Sequence, residues 1–106
     1  MGYFMIIDSH THILPPDIIK KKGHYIDKDS TFKTLFTSKN SIMGTAETLI
    51  TSMDQHGISS SVVLGMGWKD DGLNSYVNDY IMESSLKYPE RIYPFTGINP
   101  SSKKIF

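Results

Sequence analysis

The stretch Tyr3-Phe4-Met5-Ile6-Ile7-Asp8-Ser9-His10-Thr11-His12 sets the reading of everything after it. Its first half is apolar at consecutive positions and stops at polar residues. That is the pattern of a strand buried on both sides in a parallel sheet. The second half leaves the C-terminal end of that strand with a carboxylate and two imidazoles at alternate positions. Alternate side chains of a strand share a face, so Asp8, His10 and His12 are expected to point the same way, the imidazoles rooted roughly 7 Å apart. Two rings at that spacing can converge on one ion. A divalent metal such as zinc takes neutral imidazole nitrogen at about 2.0–2.1 Å, and a carboxylate on the same face suits the orienting of a ligand histidine through its other ring nitrogen. His10 and His12 are therefore the candidate metal ligands and Asp8 their support. A bare H-x-H in an arbitrary loop would be a weak signal. The strand in front of this one strengthens it, because a buried cluster of one carboxylate and two imidazoles needs partners to offset its desolvation.

Downstream, Pro15 and Pro16 break the chain, and Asp17 to Lys22 has room only for a short helix before Gly23. From Gly23 to Ser41 no period holds, and apolar residues are scattered at Tyr25, Ile26, Phe32, Leu35 and Phe36. The segment reads as a long excursion over the mouth of a site. Thr45 is a candidate N-cap, followed by Ala46, Leu49, Ile50 and Met53 on one helical face, with Gly57 placed to end the helix. Ser61-Val62-Val63-Leu64 is a second strand bounded by Gly65 and Gly67. A second amphipathic helix follows Gly72, with Leu73, Val77, Tyr80, Ile81 and Ser84 on one stripe, and must stop near Tyr88 because Pro89 disfavours helix in the residue before it. Arg91 to Ile98 reads as a third strand. Pro94 within it forfeits a ladder hydrogen bond and so belongs near a strand start, at a bulge or on an edge. Strand, long connection, strand, helix, strand calls for crossovers and a parallel α/β sheet.

Sites on parallel sheets form where strands end at their C-termini. Trp68, after strand two, is a candidate pocket wall, and Asn99, after strand three, a candidate hydrogen-bonding group near a substrate. The competing reading is that Trp68 packs under the excursion and Asn99 caps a turn before Pro100. His24 is a lesser candidate for the pocket, and His56, in the last turn of its helix, is read as a solvated histidine favoured by the helix dipole. Eleven Lys and Arg balance eleven Asp and Glu, which gives no whole-chain electrostatic case for nucleic acid or an anionic membrane. Lys20-Lys21-Lys22 is read as a solvated helix end. With no cysteine, a metal site must use His, Asp or Glu. The apolar start is short and lacks a basic leader, so neither signal peptide nor membrane span is expected, and cytoplasm is the default location.

The Asp8-to-His12 motif is followed by Ser52-Met53-Asp54-Gln55-His56-Gly57-Ile58, Val62-Val63-Leu64-Gly65, Tyr88-Pro89-Glu90-Arg91-Ile92 and Gly97-Ile98-Asn99-Pro100. Together they are similar to the amidohydrolase-related family, which includes aminocarboxymuconate-semialdehyde decarboxylase-like enzymes. The resemblance implies the first three βα units of a TIM-type (β/α)8 barrel, with residues 1–106 as an N-terminal portion. It also implies one divalent metal, often zinc, on the histidines matching His10 and His12, joined by a later histidine and an aspartate. In that family a metal-activated water attacks the carbonyl carbon of a small-molecule substrate, or the metal assists decarboxylation. A complete barrel of this kind takes about 250 residues. Three units leave strand edges and inward apolar surface uncovered, so self-association or a missing C-terminal part is expected, and little activity from this segment alone. A non-catalytic, self-associating α/β protein is the rival.

Overall fold

The computed structural model describes residues 5–38 and 43–102. Its elements run β1 (Ile7–Thr11), α1 (Pro16–Lys20), α2 (Lys22–Lys28), α3 (Ser30–Phe36), α4 (Ala46–His56), β2 (Ser60–Leu64), α5 (Asp71–Lys87) and β3 (Ile92–Phe95). The strands form one sheet in the order β1-β2-β3, both pairs parallel, and the sheet is not closed. No helix among the described residues is long and apolar enough to cross a membrane.

The local chemistry of the two long helices explains their limits. Thr45 caps α4 by accepting from Thr48 N–H, and Gly57 closes it in the left-handed conformation at φ 67°, which only glycine adopts without strain. Helix α5 starts earlier than Gly72, because Asp70 is its cap and takes the N–H of Leu73 at 2.7 Å. It stops at Lys87, with Tyr88 as the last half-helical residue before Pro89. Leu73, Val77, Ile81 and Ser84 are its buried residues, as the spacing required. Tyr80 lies at the margin and gives its hydroxyl to the start of α4, where it accepts from Ala46 N–H at 2.9 Å.

Val63 of β2 and Ile92 of β3 belong to one core with Ala46 of α4 and Val77 and Ile81 of α5, each of the buried Val and Ile side chains contributing about 1.5–3 kcal/mol. The other face of the sheet is bare. Ile7 is 54 % exposed, Tyr93 48 % and Phe95 58 %. This corrects the expectation that strand one is buried on both sides. One layer of helices covers one face, and no described element lies over the other. Of the apolar run itself, Tyr3 and Phe4 lie outside the described residues, and the strand begins at Ile7, after an exposed Met5 and Ile6.

Strand three is shorter than expected, and Pro94 sits on it without cost to the ladder. Ser61 N–H bonds Arg91 carbonyl and Gly65 N–H bonds Phe95 carbonyl, so the odd-numbered residues of β3 face β2. Pro94 turns its nitrogen to the free edge, the placement its chemistry demands.

The excursion is more regular than its composition suggests. Helix α1 ends at Lys20, but α2 begins at Lys22 and runs through Gly23, so Gly23 does not terminate the helical stretch. Asp29 then caps α3, its Oδ1 accepting from Phe32 N–H at 3.0 Å. Its Oδ2 accepts from Asp70 N–H at 2.6 Å. Buried to 2 % exposure, this one carboxylate ties the start of α3 to the cap of α5. The fastening seats Phe32 and Phe36 on Trp68, ring centroids 5.3 and 6.1 Å away.

Candidate functional site

Asp8, His10 and His12 stand on or just beyond β1, whose pairing with β2 is irregular. Asp8 lies opposite Ser61 and Thr11 opposite Val63, so β1 spends one more residue than β2 over this span. A bulge of this kind re-aims side chains. Its local cause is the Asp8 carboxylate, which accepts from the main-chain N–H of His10 at 3.1 Å, a bond by which Asp diverts the backbone from its ladder. Thr11 then re-anchors the strand by donating its hydroxyl to Val62 carbonyl at 2.8 Å.

The extra residue changes the expected geometry. Asp8 falls in register with Ser61, on the same side as Thr11, while His10 alternates with Thr11 and faces the other way, and His12, one residue past the end of the strand, meets it ring to ring. Asp8 thus braces the backbone of His10 instead of an imidazole. The ring of His12 is held by a main-chain group: its Nδ1 lies 2.8 Å from Leu64 carbonyl oxygen. A carbonyl only accepts, so Nδ1 carries the proton and Nε2 presents a lone pair, a tautomer assigned from the bonding. His10 Nε2 lies 3.0 Å from that Nε2, the rings edge to face with centroids 4.9 Å apart, and in the absence of an ion it donates to it.

Two imidazole nitrogens bound at 2.0–2.1 Å to a tetrahedral ion stand about 3.3 Å apart. The observed 3.0 Å is therefore within a few tenths of an ångström of a ligating arrangement, reached by exchanging the shared proton for a metal. The donor type, neutral imidazole nitrogen, suits zinc in kind. The set is incomplete in number, for no group of three or more His, Cys, Asp or Glu side chains among the described residues is placed to hold an ion.

Beside the pair lies a cavity of about 120 Å³ lined by His12, Ile13, Leu14, Phe36, Met43, Gly44, Leu64, Met66, Trp68 and Val77. Trp68 is fully buried in its wall, packed under the excursion as the competing reading had it. Its indole N–H is buried without an acceptor among the described residues, an omission worth about 1–3 kcal/mol against the gain from packing on Phe32 and Phe36. Asn99 is not brought to this place. It accepts from Ser101 N–H at 3.0 Å through its side chain and lines a separate cleft with Asn74, Asn78 and Gly97. His24 stacks edge-on against Tyr25 at 5.1 Å outside the cavity lining, and His56 is exposed with Nδ1 on Ser52 carbonyl.

The mouth of the sheet is set by close backbone packing. A Cβ on Gly65 would stand 2.7 Å from Asn78 Oδ1 and closer still to Gly97 N. Asn78 clasps Gly97 from both sides, accepting its N–H at 2.9 Å and donating to its carbonyl at 2.9 Å, and Asn74 adds a bond to that carbonyl at 3.0 Å. Sequence reading missed these two asparagines, the Leu64 carbonyl and the cavity residues Ile13, Leu14 and Met43. The apolar Ile13-Leu14 pair directly after the motif was the available signal, whereas a main-chain carbonyl carries none. No protein-family model, no curated protein and no solved structure matches the chain.

Proposed function

We propose that the chain supplies the opening βα units of a (β/α)8 barrel of the amidohydrolase kind. In it, His10 and His12 hold a divalent metal, zinc by ligand chemistry, for hydrolysis of a small carbonyl-containing substrate. The observation that carries this reading is the convergence of two Nε2 atoms to 3.0 Å, with His12 locked by Leu64 carbonyl, at the sheet edge where barrel enzymes place their chemistry. A metal bound there supplies Lewis acidity toward a carbonyl oxygen. The chain's own part is positional. Leu64 fixes the tautomer and plane of His12, and Asp8 fixes the backbone that carries His10. Further ligands come from strands laid over the open face of Ile7, Tyr93 and Phe95, in the same polypeptide or in another. The decarboxylases of that family are the nearest variant. A second reading, a self-associating protein that binds an ion without catalysis, draws on the same exposed face.

The test is zinc titration by calorimetry with elemental analysis of the washed protein, in the polypeptide or assembly that carries the remaining ligands, with both histidines present and with His10→Ala/His12→Ala. Binding in the wild type that the double variant loses is the expected result. Equal zinc stoichiometry in both proteins would sink the ligand assignment.

A further inference from the structure

We infer that the cavity beside His12 is the subsite for an uncharged, compact apolar group of the ligand whose reactive end meets the histidine pair. The inference rests on the proposed function for the role of the histidines, while the cavity itself stands on packing alone. Its volume is about 120 Å³, somewhat below the roughly 150 Å³ of an apolar cavity known to stay dry and take benzene. The side chains around it are Ile13, Leu14, Phe36, Met43, Met66 and their neighbours, with no charged residue among them. A carboxylate or ammonium seated there would be buried without a partner, which the interior penalises heavily. An apolar group meets the opposite situation, since its own surface leaves water for an apolar lining and it finds two methionines, Met43 and Met66, whose flexible thioethers adapt to irregular shapes.

The position of His12 gives the subsite its direction. Its ring is exposed to solvent and yet lines the cavity, whereas Ile13 and Leu14 behind it are 2 % and 4 % exposed. His12 therefore stands where the cavity opens. A ligand with its apolar end inside carries its polar end past that ring toward His10. The substrate class that follows is a carbonyl compound bearing a phenyl-sized or branched-alkyl group, not one that is charged throughout. The polar cleft of Asp71, Asn74, Asn78 and Asn99 would suit a charged molecule better, but both its α5 amides are already spent on Gly97.

The methionines make the test internal. The full chain, labelled with carbon-13 at the methionine methyls, is titrated with benzene and in parallel with acetate while methyl spectra are recorded. Benzene is expected to give saturable shifts at Met43 and Met66, leaving Met5 and Met82, both exposed elsewhere, unmoved, and acetate is expected to give none. Absence of saturable shifts at Met43 and Met66, or equal shifts at Met5 and Met82, would overturn the subsite. Saturation by acetate at Met43 and Met66 would overturn the uncharged class. Benzene shifts at Met43 and Met66 are expected to persist in His10→Ala, which removes a proposed metal ligand outside the cavity lining, so the subsite and the metal reading stand or fall on separate signals.

Discussion

Replacing Asp29 should loosen the helices that roof the cavity by an amount the geometry sets. Its carboxylate makes two bonds, one to Phe32 N–H as the cap of α3 and one to Asp70 N–H across the fold, from a site only 2 % exposed. Loss of an N-cap costs about 1 kcal/mol. Loss of a hydrogen bond to a charged group costs about 1.5–3 kcal/mol. Asp29→Ala removes both, so it should lower the unfolding free energy by about 2.5–4 kcal/mol. Asp29→Asn keeps one acceptor oxygen and sets an amide NH2 against the other N–H, so it should lose about half as much. The assay is urea unfolding followed by the fluorescence of Trp68, the sole tryptophan, whose ring packs on Phe32 of the helix being uncapped. The midpoint should fall with the slope unchanged, which marks a stability change without a change in exposed surface. A loss below about 0.5 kcal/mol for Asp29→Ala, the range of ordinary surface substitutions, would refute the account. So would an Asn variant less stable than the Ala variant.

Gly97→Ala should prevent normal folding or cost about 3 kcal/mol or more, at or above the upper end of the usual cost of overpacking, because main chain on the far side cannot yield. Its new methyl would meet the main chain of Gly65, Met66 and Gly67, and thermal unfolding by circular dichroism measures the loss. Alkaline titration of tyrosinate absorbance should show Tyr76 ionising late, its phenol pushed up to about 12 chiefly by the hydrogen bond to Asp17 and then by burial. Because the folded-state value is raised, that contribution to stability is whole below pH 10 and is lost as pH rises from 10 toward 12. Tyr76→Phe should lower the late amplitude by one tyrosine, leaving the share of Tyr80, which burial also pushes up, and an unchanged late amplitude would refute the assignment.

Periodicity made the long elements legible. In α5, Leu73, Val77, Ile81 and Ser84 lie on the buried stripe that their spacing marks, and Gly57 and Pro89 stop their helices for reasons of φ and sterics. Strand two, bounded by glycines, was equally plain. The excursion was not, because α2 and α3 are too short to show a period and depend on Asp29, whose second bond is to a residue far along the chain. At the site, the convergence of His10 and His12 could be read from their spacing. The alignment of Asp8 with them could not, for strict alternation assumes an unbroken ladder, and the bulge arises from a side-chain-to-backbone bond that spacing alone does not reveal. The apolar run suggested a strand covered on both faces. Coverage of the second face depends on what lies over it, which no local pattern in Ile7, Tyr93 or Phe95 encodes.

Pro94 bears on how the sheet can grow. Along the free edge of β3 the outward-facing nitrogens are those of Ile92 and Pro94. The first is already bonded to Tyr88 carbonyl at 3.1 Å, and the second has no hydrogen. The strand thus offers its outer side carbonyls and no free donor, so a newcomer must supply every hydrogen of the new ladder and receives none in return. Stray chains that template on exposed edges rely on the exchange being mutual. Here the edge screens its partners, favouring a strand whose shape and side chains suit the exposed apolar face over one that brings only backbone.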